Sequence, residues 1–330
     1  MVKNYSITDN LQNYARKLAK KRKPFPEKLE ELKKRNQNFK EKFLQCLGDM
    51  PENRYSLNVQ VRDEFKLDNY PVICHSILYQ SEPDVTVPAL VYKPLEFKGK
   101  IPGILFLGGW VQSKWEYRSV TAELSSQGYI VLVPDCRFVG ERKTYSSESE
   151  QFNLVPIAQL LGKTFMGMNS WDNMRAIDYL QSREDTDKER IGVIGCCWGG
   201  MQAWTLAAID ERVKVAIAIN GTSTYEALIR EFSSYGYHDC LGTYIPGLLK
   251  YGDIPDILAL IAPRPLLLMN NINDWWFPVS GYLKVCQELE KVYQTYGAPE
   301  RFQHFLYATI HDYPPESVKE ATAWFKKYLK

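Results

Sequence analysis

The sequence of 330 residues predicts an α/β fold, a mostly parallel central sheet flanked by helices. The first observation is a series of short, largely apolar runs, each followed within two residues by Gly, Asp or Asn, which is typical of strands buried on both faces. The second is that helix-like stretches separate these runs and join each strand to the next in a repeated βαβ pattern. The apolar runs cover residues 104–107, 130–133, 191–194, 213–219 and 266–269.

A helical arm is predicted over residues 1–50. Apolar residues recur there near helical spacing, so one face should pack on the rest of the protein. Gly48 should end the helix, because glycine tolerates a positive φ. The apolar positions are Leu29, Leu32, Phe39, Phe43, Leu44 and Leu47.

Residues 51–330 are predicted to form the main domain. Alternating apolar and polar residues predict three early strands, over 59–67, 71–80 and 85–93. Residues 221–263 separate two core strands by more than a crossover needs, so we predict a cap-like or lid-like insertion there. The predicted helices of the domain cover about residues 113–127, 155–183, 198–209, 279–297 and 314–329.

The arm is basic although the whole chain has a formal net charge of only +2. Residues 1–48 contain 13 Lys/Arg and five Asp/Glu. Acidic residues interrupt the basic run at 27, 30, 31 and 41, which favours a solvated helix face over a surface that binds nucleic acid or an anionic membrane. We therefore expect no nucleic-acid partner, and the lack of an apolar stretch of about 18 residues predicts no membrane span.

Cysteine usage indicates a reducing compartment. The chain has seven cysteines, an odd number, and Cys196 is adjacent to Cys197. Such cysteines are typical of free thiols, so we expect a cytoplasmic protein. The sequence has no Cys-x-x-Cys pair and no Walker loop, and we expect neither a metal nor another cofactor. A homo-oligomer stays possible on these grounds.

The motif that carries chemistry is Gly195-Cys196-Cys197-Trp198-Gly199-Gly200, which follows a buried strand and opens a helix. This is the pattern of a nucleophile elbow, a turn so tight that the residues two positions either side of the nucleophile must be small. Glycines flank Cys197 at those positions, whereas Ile194 and Trp198 would flank Cys196. Cys197 is therefore the predicted nucleophile, and the helix N-terminus favours its thiolate. Cys196 should be a small buried residue.

An oxyanion hole should lie beside the elbow. One donor should be the backbone N–H of Trp198, and the other should come from the loop after the strand at 104–107, at Gly109 or Trp110. Acid and base should follow the nucleophile in that order along the chain. Asp274 is the carboxylate in the loop after the strand at 266–269, although Asp is also a common turn former. His311 follows the last strand and is the predicted base, with His238 second.

The remaining polar candidates are interpreted as structural. His304 lies inside a predicted strand. Asp135 should be a structural ion-pair or loop-closing residue, with Arg137 or Arg142 nearby. Tryptophans crowd the predicted mouth of the site, where flat apolar walls suit an aromatic acyl group or a sugar ring. Candidate substrate-binding residues are Trp275, Trp276 and His238.

These features resemble the α/β-hydrolases. The cysteine-centred elbow is similar to that of dienelactone hydrolases, and other segments are similar to acetyl-xylan-esterase-like members. The resemblance runs from about residue 39 to residue 330 and implies an α/β-hydrolase fold. It also implies hydrolysis of carboxylic esters or lactones by a triad of Cys197, His311 and Asp274. The segments that carry it besides the elbow are Leu47-Gly48, Pro134-Asp135-Cys136-Arg137, His238-Asp239-Cys240, Tyr244-Ile245-Pro246-Gly247 and Ala262-Pro263-Arg264-Pro265.

The expected function is therefore hydrolysis of a small-molecule ester or lactone through a covalent acyl-enzyme. Two alternatives stay open. The same triad could serve an acyltransferase or a thioesterase, because the leaving alcohol can attack a thioester in reverse. The fold could also belong to a non-catalytic protein that binds a ligand or senses redox state through the thiol.

Overall fold

The computed structural model describes residues 6–143, 147–235 and 241–330, and within them nine strands form one sheet. The sheet order is β1-β2-β3-β5-β4-β6-β7-β8-β9. Pairing is antiparallel from β1 to β5 across that order and parallel from β5 onwards to β9. The strands are β1 (Gln60–Lys66), β2 (Val72–Glu82), β3 (Val85–Pro94), β4 (Ile101–Leu107), β5 (Ile130–Pro134), β6 (Thr186–Cys196), β7 (Val213–Ile219), β8 (Leu266–Asn271) and β9 (Phe302–Tyr307).

Helices cover the sheet on both sides, which confirms the predicted α/β-hydrolase fold. Successive residues of β6 point to opposite faces, so Val193 joins the apolar cluster that contains α6, and Ile194 joins the cluster that contains α10. The helices are α1 (Ile7–Lys21), α2 (Leu29–Leu47), α3 (Arg118–Ser126), α4 (Ser147–Leu160), α5 (Phe165–Ser182), α6 (Trp198–Ile209), α7 (Tyr225–Tyr235), α8 (Ile254–Ala259), α9 (Val279–Thr295) and α10 (Pro315–Tyr328).

The prediction of one helix over 155–183 was wrong, because the chain breaks between α4 and α5. Gly162 has φ +76, a conformation that no α-helix continues through. Thr164 then begins the next helix as its N-cap, and its hydroxyl accepts the N–H of Gly167 at 2.9 Å. The glycine and the cap together end one helix and start another.

The two helices of the arm pack on the insertion between β7 and β8. The predicted apolar face of α2 is buried at Leu32, Phe39, Phe43 and Leu47, whereas Leu44 is exposed. Gly48 ends α2 with φ +83, as expected. The domain boundaries at 50 and at 221–263 stay predictions.

Polar contacts fix the arm in place. Arg22 and Arg35 both form ion pairs with Asp256 in α8, whose side chain is buried. Gln12 of α1 donates to the carbonyl oxygens of Ile229 and Arg230 in α7, at 3.1 and 3.0 Å. Among the described residues, no helix is both long and apolar enough to cross a bilayer.

Candidate active site

The nucleophile elbow joins β6 to α6, and Cys197 lies at its apex. The backbone of Cys197 has φ +57 and ψ −120, a strained conformation for a residue with a side chain. A Cβ on Gly195 would come 2.0 Å from the carbonyl oxygen of Gly199, and a Cβ on Gly199 would come 1.9 Å from that of Leu107. The turn therefore tolerates only glycine at these two positions.

The carboxyl ends of the parallel strands bring the predicted triad together. Asp274 follows β8 and His311 follows β9, and Asp274 Oδ2 lies 2.8 Å from His311 Nδ1. The other carboxylate oxygen, Oδ1, accepts the N–H groups of Trp276 at 2.8 Å and Phe277 at 3.0 Å. His311 and Cys197 border the same cavity, and the interaction with Cys197 contributes to the raised pKa of His311. Asp274 is thus a turn former and the partner of the histidine at once.

The imidazole of His311 is held in an environment that favours its protonated form. Burial of the ring opposes protonation, but hydrogen bonds and charge interactions with Asp274 and Cys197 outweigh it and raise the pKa of His311 to about 10. The ring stacks on Phe277 with centroids 5.9 Å apart. The surroundings of His311 therefore favour its imidazolium form next to Cys197.

Two asparagines, which the sequence analysis missed, anchor the loop that carries His311. The side-chain N–H groups of Asn220 and Asn271 both donate to the carbonyl oxygen of Asp312, each at 2.7 Å. Asn271 also donates to Asn220 Oδ1 at 2.9 Å. Both residues follow the apolar part of a core strand, and that position could have indicated in the sequence that they lie near the site. Their bonds fix the backbone next to the histidine.

The predicted oxyanion donors differ in availability. The N–H of Gly109 donates to the hydroxyl of Tyr117 at 2.6 Å, so it is not free for a substrate, and its predicted role is not supported. The N–H of Trp198 lies at the first position of α6, where no intrahelical acceptor exists. Trp110 follows Gly109 and borders the same cavity. Trp110 and Trp198 stay the candidate donors.

A cavity of about 320 Å³ opens in front of Cys197. Trp276 borders it, as predicted, but Trp275 is exposed and does not, because neighbouring side chains of this loop point in different directions. His238 lies outside the described residues. Cys196 is buried, as expected, and burial raises the pKa of its thiol well above the usual value. The cavity is lined by Trp110, Val111, Gln112, Cys196, Cys197, Trp198, Thr243, Trp276, Phe277, His311, Asp312 and Tyr313.

The remaining polar candidates have structural partners. Asp135 is a structural ion-pair residue, as expected: its Oδ2 lies 2.6 Å from Nζ of the buried Lys114, and Arg142 lies nearby, donating to the Asp135 carbonyl oxygen at 3.2 Å. Arg137 instead binds Asp172, and His304 lies 3.0 Å from Glu290. In the described part of the chain, no group of three or more His, Cys, Asp or Glu side chains is placed to hold a metal ion.

A strained elbow between a parallel strand and a helix, with a carboxylate and a histidine after the two strands that follow, defines the α/β-hydrolase class. Within that class the chain belongs to the dienelactone hydrolase family, whose sequence pattern matches residues 87–233. A Bacillus subtilis protein described as "Putative hydrolase YtaP" is 31% identical over 305 residues, which cover 88% of this chain and 98% of that protein. A "Putative carboxymethylenebutenolidase" of Yersinia pestis is 26% identical over 47% of this chain and 56% of its own length.

Solved esterase structures share the fold. A "putative acetyl xylan esterase" from Bacteroides fragilis superposes with a TM-score of 0.74, at 17% identity, over 95% of this chain and 85% of that one. A glucuronoyl esterase from Solibacter usitatus superposes with a TM-score of 0.67, at 17% identity, over 91% of this chain and 93% of that one. The family and these neighbours together support a carboxylic-ester hydrolase.

Proposed function

We propose that this protein hydrolyses carboxylic esters or lactones through a covalent acyl-enzyme on Cys197. His311 is the general base and Asp274 orients it. The observation that carries the proposal is the hydrogen bond between Asp274 and His311, with His311 and Cys197 bordering one cavity and Cys197 at the apex of a positive-φ elbow. Each of the three side chains comes from a different loop at the same edge of the sheet.

The first half of the reaction forms a thioester. The proton of the Cys197 thiol passes to His311 Nε2, and the sulfur attacks the carbonyl carbon of the ester. Negative charge develops on the carbonyl oxygen, where the N–H groups of Trp198 and Trp110 are the proposed donors. The carbon–oxygen bond to the alkoxy group then breaks, and the leaving oxygen takes the proton from His311.

The second half releases the acid. A water molecule gives a proton to His311 as its oxygen attacks the thioester carbonyl. The carbon–sulfur bond breaks, and the sulfur recovers the proton from the imidazole. Asp274 accepts the Nδ1–H throughout, which keeps Nε2 directed at the reacting atoms and stabilises the imidazolium.

The aromatic walls of the cavity favour a substrate with a flat or apolar group. Trp110 meets Trp198 edge to face at a centroid distance of 5.4 Å, and Trp276 and Phe277 lie on the side of His311. Such walls bury aromatic or alicyclic groups well. The names of the solved neighbours, an acetyl xylan esterase and a glucuronoyl esterase, agree with an ester as the substrate.

The test is hydrolysis of p-nitrophenyl acetate, with intact protein mass recorded in the same samples. Wild type should turn over and carry a transient acyl adduct, whereas Cys197→Ala should lose both and Cys197→Ser should be strongly impaired. Cys46→Ala is the matched control, because Cys46 lies in the arm, away from the cavity. Equal rates in wild type and Cys197→Ala would refute the proposal.

The same experiment separates the alternatives. An adduct that clears only when an alcohol, amine or thiol is added indicates an acyltransferase. Binding of the ester without an adduct or turnover indicates a non-catalytic ligand or redox sensor.

A further inference from the structure

Gln112 borders the cavity, and a hydrogen bond to Tyr117 orients its side chain. The hydroxyl of Tyr117 accepts the N–H of Gly109 at 2.6 Å, and it donates its own proton to Gln112 Oε1. The carboxamide thus presents its oxygen to Tyr117, where it accepts the single phenol proton. The Nε2 amino group of Gln112 is then the end left for a ligand. Tyr117 is buried, and burial raises the pKa of its hydroxyl well above the usual value, which keeps that proton in place.

The backbone next to Gln112 is strained. Val111 has φ +61, which is an outlier for a β-branched residue, and the N–H of Gln112 closes the turn on the carbonyl oxygen of Gly109 at 3.4 Å. Strain of this kind persists only where the surroundings impose it, and it is concentrated at binding sites. The turn brings Trp110, Val111 and Gln112 together onto the wall of the cavity that contains Cys197.

The described side chains that border the cavity offer a substrate anion no unpaired positive charge. No Lys or Arg is among them, and the titratable groups there apart from the cysteines and a tyrosine are His311 and Asp312. The raised pKa of His311 favours its imidazolium form, but Asp274 already pairs with that ring. A carboxylate on the substrate would lose its hydration without gaining a cationic partner of its own among these residues.

We propose that the Gln112 amino group donates a hydrogen bond to an oxygen of an uncharged substrate, and that the site selects neutral esters over carboxylate-bearing ones. This inference rests on the function proposed above and narrows its substrate class. Gln112 is the specificity-determining residue, because it supplies a directed donor without a charge. The preferred acyl group therefore combines an apolar body with an uncharged acceptor oxygen, such as a second ester or an ether.

Three p-nitrophenyl esters of nearly equal length test the proposal: the methyl succinate diester, the succinate monoester with a free carboxylate, and the hexanoate. Wild type should show a kcat/KM for the neutral diester at least tenfold above that for the monoester. Gln112→Met should lower kcat/KM for the diester about tenfold, mainly through KM, and leave the hexanoate nearly unchanged. Gln112→Lys should reduce or invert the preference between diester and monoester.

The controls separate this inference from the proposed function. Gln287→Met changes an exposed glutamine on α9 and should alter none of the three rates. Cys197→Ala should lose all three activities, and retained activity would overturn the proposed function itself. With Cys197→Ala inactive, equal use of the diester and the monoester by wild type would overturn only the inference. An equal loss of diester and hexanoate hydrolysis in Gln112→Met would also overturn only the inference, because that result indicates a structural role for Gln112.

Discussion

Asp274 and His311 are 37 residues apart in the chain, yet Oδ2 of the aspartate lies 2.8 Å from Nδ1 of the histidine. Their loops follow β8 and β9, which pair in parallel up to Asn271 and Tyr307. The pairing continues beyond the strands, because the N–H of Ile272 donates to the carbonyl oxygen of Tyr307 at 2.9 Å. The pairing of β8 with β9 therefore sets the relative position of the two loops, and it places Asp274 next to His311.

Asp274→Asn should abolish most activity without unfolding the loop. An asparagine can keep an oxygen for the N–H groups of Trp276 and Phe277, but its amino group cannot accept the Nδ1–H of His311. We expect kcat to fall by about 10³- to 10⁴-fold, as for the equivalent change in serine proteases, with little change in Tm. Steady-state kinetics and thermal melts measure both. A kcat within tenfold of wild type would contradict the assigned role.

The raised pKa of His311 should make stability depend on pH. In the unfolded chain the pKa of the imidazole is about 6.5, whereas in the folded protein it is about 10. The folded state binds more protons between these values, so this contribution to stability is complete below about pH 6.5 and is lost as the pH rises through about 10.

We therefore expect the Tm of wild type to fall between about pH 6.5 and 10, and to fall less steeply in Asp274→Asn, which lacks the carboxylate that raises the pKa. Melts at constant ionic strength across that range measure the slopes. Parallel slopes for the two proteins would show that His311 does not carry the effect.

Gly195 of the elbow should tolerate replacement by alanine far less well than Gly99, which lies in an open turn. Gly195→Ala would place a Cβ 2.0 Å from a backbone oxygen, whereas a Cβ on Gly99 meets no atom within 4 Å. Gly99 has φ +66, so Gly99→Ala should cost only about 1 kcal/mol. Gly195→Ala should cost more than about 4 kcal/mol or prevent folding, because backbone must move. Denaturant unfolding ranks the two, and equal costs would contradict the steric argument.

The arm should depend on one buried carboxylate. Asp256 is almost fully buried and pairs with Arg22 and Arg35. Asp256→Asn leaves Arg35 without this anionic partner and leaves Arg22 with Glu288 alone. We expect a loss of about 3 kcal/mol in the free energy of unfolding. The exposed pair of Glu30 and Lys33 is the control, and Glu30→Gln should cost less than about 1 kcal/mol. A loss below that level in Asp256→Asn would show that the ion pairs of Asp256 contribute little to fixing the arm.

The sequence alone was sufficient to predict those features that follow from a single local rule. The glycine pattern distinguished Cys197 from Cys196, and the apolar runs located the strands within a few residues. Chain order and strand ends singled out Asp274 and His311, which the structure brings into hydrogen-bonding contact with each other. Their catalytic roles stay predictions.

Other features depend on side chains that meet only after folding. The N–H of Gly109 donates to Tyr117, and Asp135 pairs with Lys114. No sequence periodicity relates the residues of either pair. The direction of Trp276 into the cavity and Trp275 out of it follows from the turn around Asp274 Oδ1. These details required coordinates because distance along the sequence does not indicate the partner: Lys114 is 21 residues from Asp135, whereas Arg142 is seven residues away.

The arm also has a consequence for how the chain is made. Asp256 follows Arg22 by 234 residues and Arg35 by 221 residues. At about 5–20 residues per second, the ribosome adds that length in roughly 10–50 s, and the N-terminal helices wait for that time without their docking surface. Their charged, sparingly apolar composition keeps them solvated meanwhile. The arm therefore gains its ion pairs only after the insertion has been made, and its attachment reports that synthesis has passed α8.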